Sequence, residues 1–212
     1  TTVIPDMNPA RPARVDPAKF AQTMLREGVT QGFGSPAIWK RVGRYCEAQQ
    51  IRFPALRRVF SAGAPVPPDV LARMRGTLTA PGAEVYTPYG ATEALPVSSM
   101  TATDVLARTS QATQRGAGTC VGRPLPTMRL KIVAITEGPI ATLADVRELP
   151  RGEIGEIIVQ GDMVTREYYR RPDATAAAKI ADGAQFWHRM GDVGYLDEAG
   201  DLWFCGRKSQ TV

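Results

Sequence analysis

The chain has 212 residues, 43% of them hydrophobic and 22% charged, an ordinary globular composition long enough for one large core or two smaller ones. Its formal charge is +5, but the basic residues (Arg11, Arg14, Arg57, Arg58, Arg73, Arg75, Arg170, Arg171) form no block and no interleaving with aromatics, so nucleic acid is the least favoured partner. A mildly basic surface or a site for anionic substrates accounts for the charge instead. The cysteines Cys46, Cys120 and Cys205 are far apart and lack metal-ligand spacing, as in a reduced cytoplasmic protein, and a single histidine, His188, makes a His-based metal site or triad improbable. No apolar run approaches the roughly 18 residues of a membrane span, and no signal-peptide pattern opens the chain. It begins at Thr1-Thr2-Val3 and stops just after Gly206-Arg207-Lys208, as a piece of a longer protein would.

Residues 1–15, with Pro5, Pro9 and Pro12, read as an irregular entry. Asp16-Pro17 is a helix start, a cap followed by proline at the first helical position, and Phe20, Met24 and Leu25 give that helix one apolar face up to Gly28. Val29 to Phe33 alternates like a short strand. Ser35-Pro36 repeats the start signal, with Ile38, Val42 and Tyr45 lining a second helix. Leu56 to Phe60 is the next strand, ending in Ser61-Ala62-Gly63-Ala64-Pro65. Pro67-Pro68-Asp69 then opens a third helix through Val70, Leu71 and Met74. Strands alternating with helices predict βαβ units, a mainly parallel sheet and ligands beyond the carboxyl ends of its strands.

The next strand, Ala83 to Tyr86, delivers the stretch Tyr86-Thr87-Pro88-Tyr89-Gly90-Ala91-Thr92-Glu93. An aromatic ring, a glycine, a hydroxyl and a carboxylate this close together suit a nucleotide. The ring can stack on a base and the glycine admits close backbone approach. Threonine can donate to a phosphate oxygen, and glutamate can hold a hard cation bridging phosphates. The competing reading is a strand-to-helix turn, with Gly90 as turn residue and Thr92 as cap.

From about Gly116 short strands take over: 129–133, 156–159, 194–196 and 201–204, the last two joined by a hairpin turn at Glu198 to Asp201. Glu137 to Pro150 reads as a surface excursion and Asp173 to Ile180 as a helix. The fold class is therefore α/β, a mainly parallel sheet with flanking helices plus a small β-rich subdomain of distorted-barrel type. The expected division is an α/β subdomain over 1–115, a β-rich subdomain over 116–205 and the start of a hinge over 206–212.

Gly122-Arg123-Pro124-Leu125-Pro126, Gly152 to Ile157, Met190-Gly191-Asp192 and Gly206-Arg207-Lys208 follow in that order. Taken with the earlier Ser-Ala-Gly-Ala-Pro and Tyr-Gly-Ala-Thr-Glu, this series resembles the adenylate-forming superfamily, over nearly the whole chain. That group comprises acyl-CoA synthetases, luciferases and peptide-synthetase adenylation domains. The resemblance implies ATP and AMP as cofactors, with Mg2+. Gly63, Ala64 and Pro65 would border the adenine and the acyl pocket. Tyr89 would stack on adenine, near Thr87, Gly90 and Ala91. Thr92 would bind the α-phosphate and Glu93 the magnesium, and these two would be the catalytic pair. Asp192 would accept hydrogen bonds from ribose hydroxyls, and Arg207 would approach the ribose and the hinge. Without the resemblance, Asp192 reads as a hairpin-entry aspartate and Arg207 as a solvated arginine. Ser35-Pro36 matches the acyl-pocket loop and equally a helix cap, a packed aromatic and a surface histidine describe Trp187 and His188, and Tyr168-Tyr169 and Trp203-Phe204 read as core or subdomain contacts.

The chain departs from the family at Met190, where threonine is usual, and at Ser209, where a hinge aspartate or lysine is common. The phosphate loop would precede Thr1, and the small C-terminal domain with its adenylation lysine would follow Val212. Ala94-Leu95-Pro96 and the run from Arg189 to Ser209 look most like the β-lactone synthetases of bacterial olefin biosynthesis. That branch implies a 2-alkyl-3-hydroxy fatty acid activated as its acyl-adenylate, then closed by its own 3-hydroxyl to a β-lactone with release of AMP. The alternatives are thioester formation with coenzyme A and a non-catalytic nucleotide-binding scaffold. A hydroxy fatty acid substrate, association with other enzymes of the pathway and a cytoplasmic setting go with the first reading.

Overall fold

A computed structural model describes residues 1–8 and 10–210, so Pro9 of the entry segment and Thr211 and Val212 of the expected hinge lie outside the described residues. The chain forms two compact units, one of Thr1–Thr87 and Met100–Ser110, the other of Pro88–Ser99 and Gln111–Val212.

The first unit begins with helix α1 (Pro17–Arg26), whose cap is the one its sequence specifies: the Asp16 carboxylate accepts from the amides of Ala18 and Lys19. Strand β1 (Gln31–Gly34), helix α2 (Pro36–Ala48), strand β2 (Arg58–Ser61), helix α3 (Pro68–Arg75) and strand β3 (Glu84–Ala91) follow. β1, β2 and β3 are parallel neighbours, in register at Phe33, Phe60 and Tyr86. Core side chains come from each layer: Phe20, Ala21 and Met24 of α1, Trp39, Val42 and Cys46 of α2, Val59 and Val85 of the sheet, and Leu71 and Met74 of α3. The indole N–H of Trp39 donates to the Gly34 and Phe60 carbonyls at 3.1 and 3.0 Å, tying α2 to the ends of β1 and β2. Ser35 precedes α2, but its hydroxyl makes no cap bond. A helical stretch that the sequence reading did not contain runs from α4 (Ala102–Asp104) through a π-type segment (Val105–Thr109) into α5 (Ser110–Gln114). Thr101 caps its start by accepting from the Asp104 amide.

Strand β4 (Ala94–Thr101) returns beside β3, completing a sheet of order β1-β2-β3-β4. The rest of the second unit is an antiparallel sheet. Its strands are β5 (Thr119–Gly122), β6 (Met128–Val133), β7 (Gly155–Gly161), β8 (Lys179–Asp182), β9 (Gln185–Leu196) and β10 (Leu202–Arg207). Their order is β5-β10-β9-β7-β6, with β8 on β9. Helix α6 (Pro172–Ala178) stops earlier than expected, because Lys179 onward pairs with β9 and drives Ile180 against Trp187, Val133 and Ile158. β9 is far longer than the expected 194–196, at 12 residues, and its inward positions include polar side chains that hide the strand periodicity. The 137–150 excursion is pinned by buried Ile140 and a capping box between Thr142 and Asp145. Cys46, Cys120 and Cys205 form no disulfide, and among the described residues no helix is long and apolar enough to cross a membrane.

Two polar residues of β9 lie inside this unit. The Arg189 guanidinium donates to both Glu156 oxygens at 3.0 and 2.7 Å, and both side chains are at most 5% exposed. Its remaining N–H groups reach the carbonyls of Gly138, Thr136 and Ala177 at 2.6, 2.9 and 3.3 Å. Lys208 Nζ stands 3.3 Å from the same Glu156 carboxylate and also donates to Thr136 O. His188 is 2% exposed, a correction to the expected surface histidine. Its Nδ1 lies 3.2 Å from the Ala178 carbonyl, so Nδ1 carries the proton. Burial first, then the charge of Lys179, pushes its pKa from 6.5 down to about 4, against the pull of the Ala178 carbonyl and Glu93.

Two measurements check these placements in the full-length protein. Glu156→Gln leaves two cations facing a buried neutral amide and should cost about 3–5 kcal/mol by urea unfolding, whereas exposed Glu153→Gln should change stability by less than about 0.5 kcal/mol. The unfolded chain takes up a proton at residue 188 near pH 6.5 and the folded chain only near 4, so the contribution of neutral His188 is complete above that window and lost through it. Acidification should therefore cost the wild type roughly 3 kcal/mol more than His188→Asn by pH 4.

Candidate functional site

β3 and β4 are joined by the two residues Thr92-Glu93, so the Tyr-Gly-Ala-Thr-Glu stretch is a β-hairpin, correcting the strand-to-helix alternative. Ala94, Val97 and Ser98 are buried along β4 and Pro96 has no N–H for a helix, so Thr92 caps nothing and stands exposed. Gly90 is where the hairpin tolerates no side chain. A Cβ there would lie 2.3 Å from the Ala94 carbonyl oxygen and 2.9 Å from the Leu95 side chain. Ala91 borders the apolar cluster of Ala94, Val97 and Met190. The Glu93 carbonyl accepts from the Thr165 amide at 2.8 Å, fixing the turn to the segment before α6.

Asp192 sits where β9 bulges. Val193 pairs with Glu156 of β7 and Arg189 with Ile158, leaving Met190, Gly191 and Asp192 out of register, and Gly191 takes a left-handed φ of 66° that favours glycine. On its other side Asp192 is in register with Arg207 of β10, beyond a second irregularity at Phe204/Gly206. The bulge turns the Met190 side chain into the apolar cluster, so the residue that replaces the usual threonine is a core residue here. Asp192 is 3% exposed, and its Oδ2 accepts from the Tyr89 hydroxyl at 2.7 Å. Its Oδ1 is 2.9 Å from Arg207 Nη1, an ion pair whose alignment falls short of a full hydrogen bond, and receives no other donor from the described residues, so a buried carboxylate oxygen retains acceptor capacity. Burial raises the Asp192 pKa, with Tyr89 and Arg207 opposing the rise. Burial, then the neighbouring Asp192 charge, raises that of Tyr89, whose hydroxyl stays a donor. The Tyr89 ring leans on Phe204, centroids 6.0 Å apart.

Glu93 is half-buried, and its Oε1 accepts from the Tyr168 hydroxyl at 2.8 Å. Burial disfavours its charge, but Tyr168, its own amide and the proximity of His188 and Lys179 outweigh that and hold its pKa below the ordinary carboxylate value. Burial lowers Lys179 to about 8 against the attraction of Glu93, and its ammonium lies 5.3 Å from the Phe186 ring centre. Among the described residues no cluster of three or more His, Cys, Asp or Glu could cage a metal. One anionic carboxylate at a turn does fit Mg2+, which keeps its waters and is carried on substrate phosphates.

The structure thus brings Tyr89, Asp192 and Arg207 together and gives Glu93 a partner in Tyr168. Gly63, Ala64 and Pro65 follow the end of β2 in the first unit. Thr87, in the same unit, has its hydroxyl 3.4 Å from the Met100 carbonyl. The Ser35 and Ser61 hydroxyls are buried without a hydrogen-bond partner among the described residues. Sequence reasoning missed the parts of Tyr168, Lys179 and His188. The hydroxyl of Tyr168 meets a carboxylate 75 positions away, a separation no local pattern encodes.

A family model described as "AMP-binding enzyme" matches residues 1–169. The chain is 50% identical over 217 residues to an olefin beta-lactone synthetase of Stenotrophomonas maltophilia, and 48% identical to one of Xanthomonas campestris pv. campestris. Each alignment takes in 100% of this chain and 38% of the relative, so the chain spans about two fifths of those proteins. Among solved structures, the amide bond synthetase McbA of Marinactinospora thermotolerans superposes with a TM-score of 0.72 at 30% identity, over 93% of this chain and 36% of that one. The match over most of its length and the shared fold place one conclusion beyond the individual likenesses: this chain belongs to the AMP-binding enzyme family.

Proposed function

We propose that the full-length protein activates a 2-alkyl-3-hydroxy fatty acid with ATP and Mg2+ as its acyl-adenylate and closes that intermediate to a β-lactone, releasing AMP. The observation that carries the activation step is the buried Asp192, with Tyr89 on one oxygen and acceptor capacity left on the other. A carboxylate so held suits the hydroxyls of a ribose, and Arg207 beside it keeps the charge local. In this reading the Tyr89 ring serves the adenine, near Gly90 and Ala91, and Gly63, Ala64, Pro65 and Thr87 of the first unit keep the nucleotide- and acyl-binding roles that the resemblance implies. Thr92 donates to the α-phosphate from its exposed position in the turn.

The acid's carboxylate oxygen attacks the α-phosphorus and pyrophosphate leaves. Glu93, kept anionic by Tyr168, is the residue that would hold Mg2+, whose charge offsets that of the phosphates during this displacement. The 3-hydroxyl oxygen then attacks the acyl carbonyl, its proton passes to water, and AMP departs with the former carboxylate oxygen. No second substrate is needed, because a hydroxyl on the same molecule has a high effective concentration. The lactone half of the proposal draws on the likeness to the two β-lactone synthetases. Cytoplasmic placement and association with other enzymes of olefin formation belong to the same reading.

The full-length enzyme with ATP, Mg2+ and a racemic 2-alkyl-3-hydroxy acid should give lactone, AMP and pyrophosphate in equal amounts without coenzyme A. Product that appears only with the thiol, as a thioester, would replace the second half of the reaction. Asp192→Ala removes charge-assisted acceptors and should weaken AMP binding by roughly 1–3 kcal/mol, measured by calorimetry. Unchanged affinity would remove Asp192 from the ribose.

A further inference from the structure

Tyr168 and Tyr169 are adjacent, yet their surroundings differ. Tyr169 is 80% exposed with the Arg170 guanidinium over its ring, whereas Tyr168 points its hydroxyl at Glu93 Oε1, 2.8 Å away. The segment carrying them, between β7 and α6, has no strand or helix of its own, so its placement depends on individual bonds. There are three. The Thr165 amide donates to the Glu93 carbonyl at 2.8 Å, and Lys179 Nζ donates to Thr165 O. The Tyr168 amide donates to Thr175 Oγ1 at 3.0 Å, while the Thr175 hydroxyl donates to Arg171 O at 2.9 Å. The backbone on each side of the Tyr168 hydroxyl is therefore pinned, on one side to the hairpin turn and on the other to α6. No side-chain donor among the described residues reaches Glu93 Oε2.

We infer that Tyr168 is a positioning residue for the divalent cation: by occupying Oε1 it fixes the rotamer of Glu93 and presents Oε2 to the metal on the ATP phosphates. The inference rests on the metal role proposed for Glu93. Its physical basis is general, since a ligand carboxylate on a turn has several rotamers of similar energy, and a hydrogen bond to its second oxygen selects one. The phenol suits the task because it donates a single hydrogen bond from a rigid ring.

The test uses the full-length enzyme and α,β-methylene-ATP, in which the bond broken during adenylation is replaced. Calorimetry gives the affinity of this analogue with and without Mn2+, and the ratio of the two reports metal coupling independently of turnover. Tyr168→Phe keeps the ring and removes only the hydroxyl. It should lower the ratio about tenfold and leave the metal-free affinity unchanged. Glu93→Gln should abolish most of the ratio, and the double variant should lose no more than Glu93→Gln alone, because Tyr168 acts through that carboxylate. A wild-type ratio in Tyr168→Phe, alongside a collapsed one in Glu93→Gln, overturns the positioning role and leaves the Glu93 reading standing. A wild-type ratio in Glu93→Gln overturns the metal reading and the inference with it. Equal losses with and without Mn2+ in Tyr168→Phe, or a further loss in the double variant, mark a structural role and also overturn it.

Discussion

The second unit depends on a charge that has no business inside a protein unless every one of its hydrogen-bonding groups is satisfied. Arg189 stands on the middle of β9, paired with β7 on one side and lying between the stretches that β8 and β10 pair on the other, where almost no water reaches it. The two Glu156 oxygens neutralise it, and three backbone carbonyls take the remaining N–H groups. Those carbonyls belong to the 137–150 excursion, to its approach and to the end of α6. Segments with little secondary structure of their own are thereby held to the sheet by the desolvation cost that their departure would impose. Lys208, just past β10, joins the same carboxylate.

The candidate site is built from irregularities in otherwise regular strands. A bulge in β9 frees Asp192 from the ladder, a shift in β10 brings Arg207 opposite it, and a two-residue turn carries Thr92 and Glu93. Each is flanked by paired backbone or buried apolar side chains, so the polar residues inherit the rigidity of the sheet. Asp192 illustrates the result. Its burial makes ionisation costly, Tyr89 and Arg207 offset part of that cost, and the oxygen left without an aligned donor is the one a ligand hydroxyl can use.

What the sequence disclosed follows from where the determining physics is local. Asp16-Pro17 announced α1 because a cap and a first-turn proline act within four residues, and the alternation of short apolar runs with amphipathic stretches announced the parallel sheet. Ordered motifs announced the family. Three features stayed hidden, each for a physical reason. His188 and Arg189 broke the apolar alternation of β9, so most of a 12-residue strand looked like loop. Ile180 read as the end of a helix because its burial depends on Trp187, a partner supplied only when β8 pairs with β9. Tyr168 looked like packing because a phenol announces its partner only through distance, and Glu93 is 75 positions away.

The bond from the Thr165 amide to the Glu93 carbonyl makes that amide a built-in probe of the hairpin turn. A backbone proton so engaged exchanges with solvent only when the bond opens, on a timescale that hydrogen–deuterium exchange resolves peptide by peptide. Ligands that stiffen the turn should slow this one amide, and changes that loosen the turn should speed it. The conformational state of Thr92 and Glu93 can therefore be followed by deuterium uptake, without substrate or turnover.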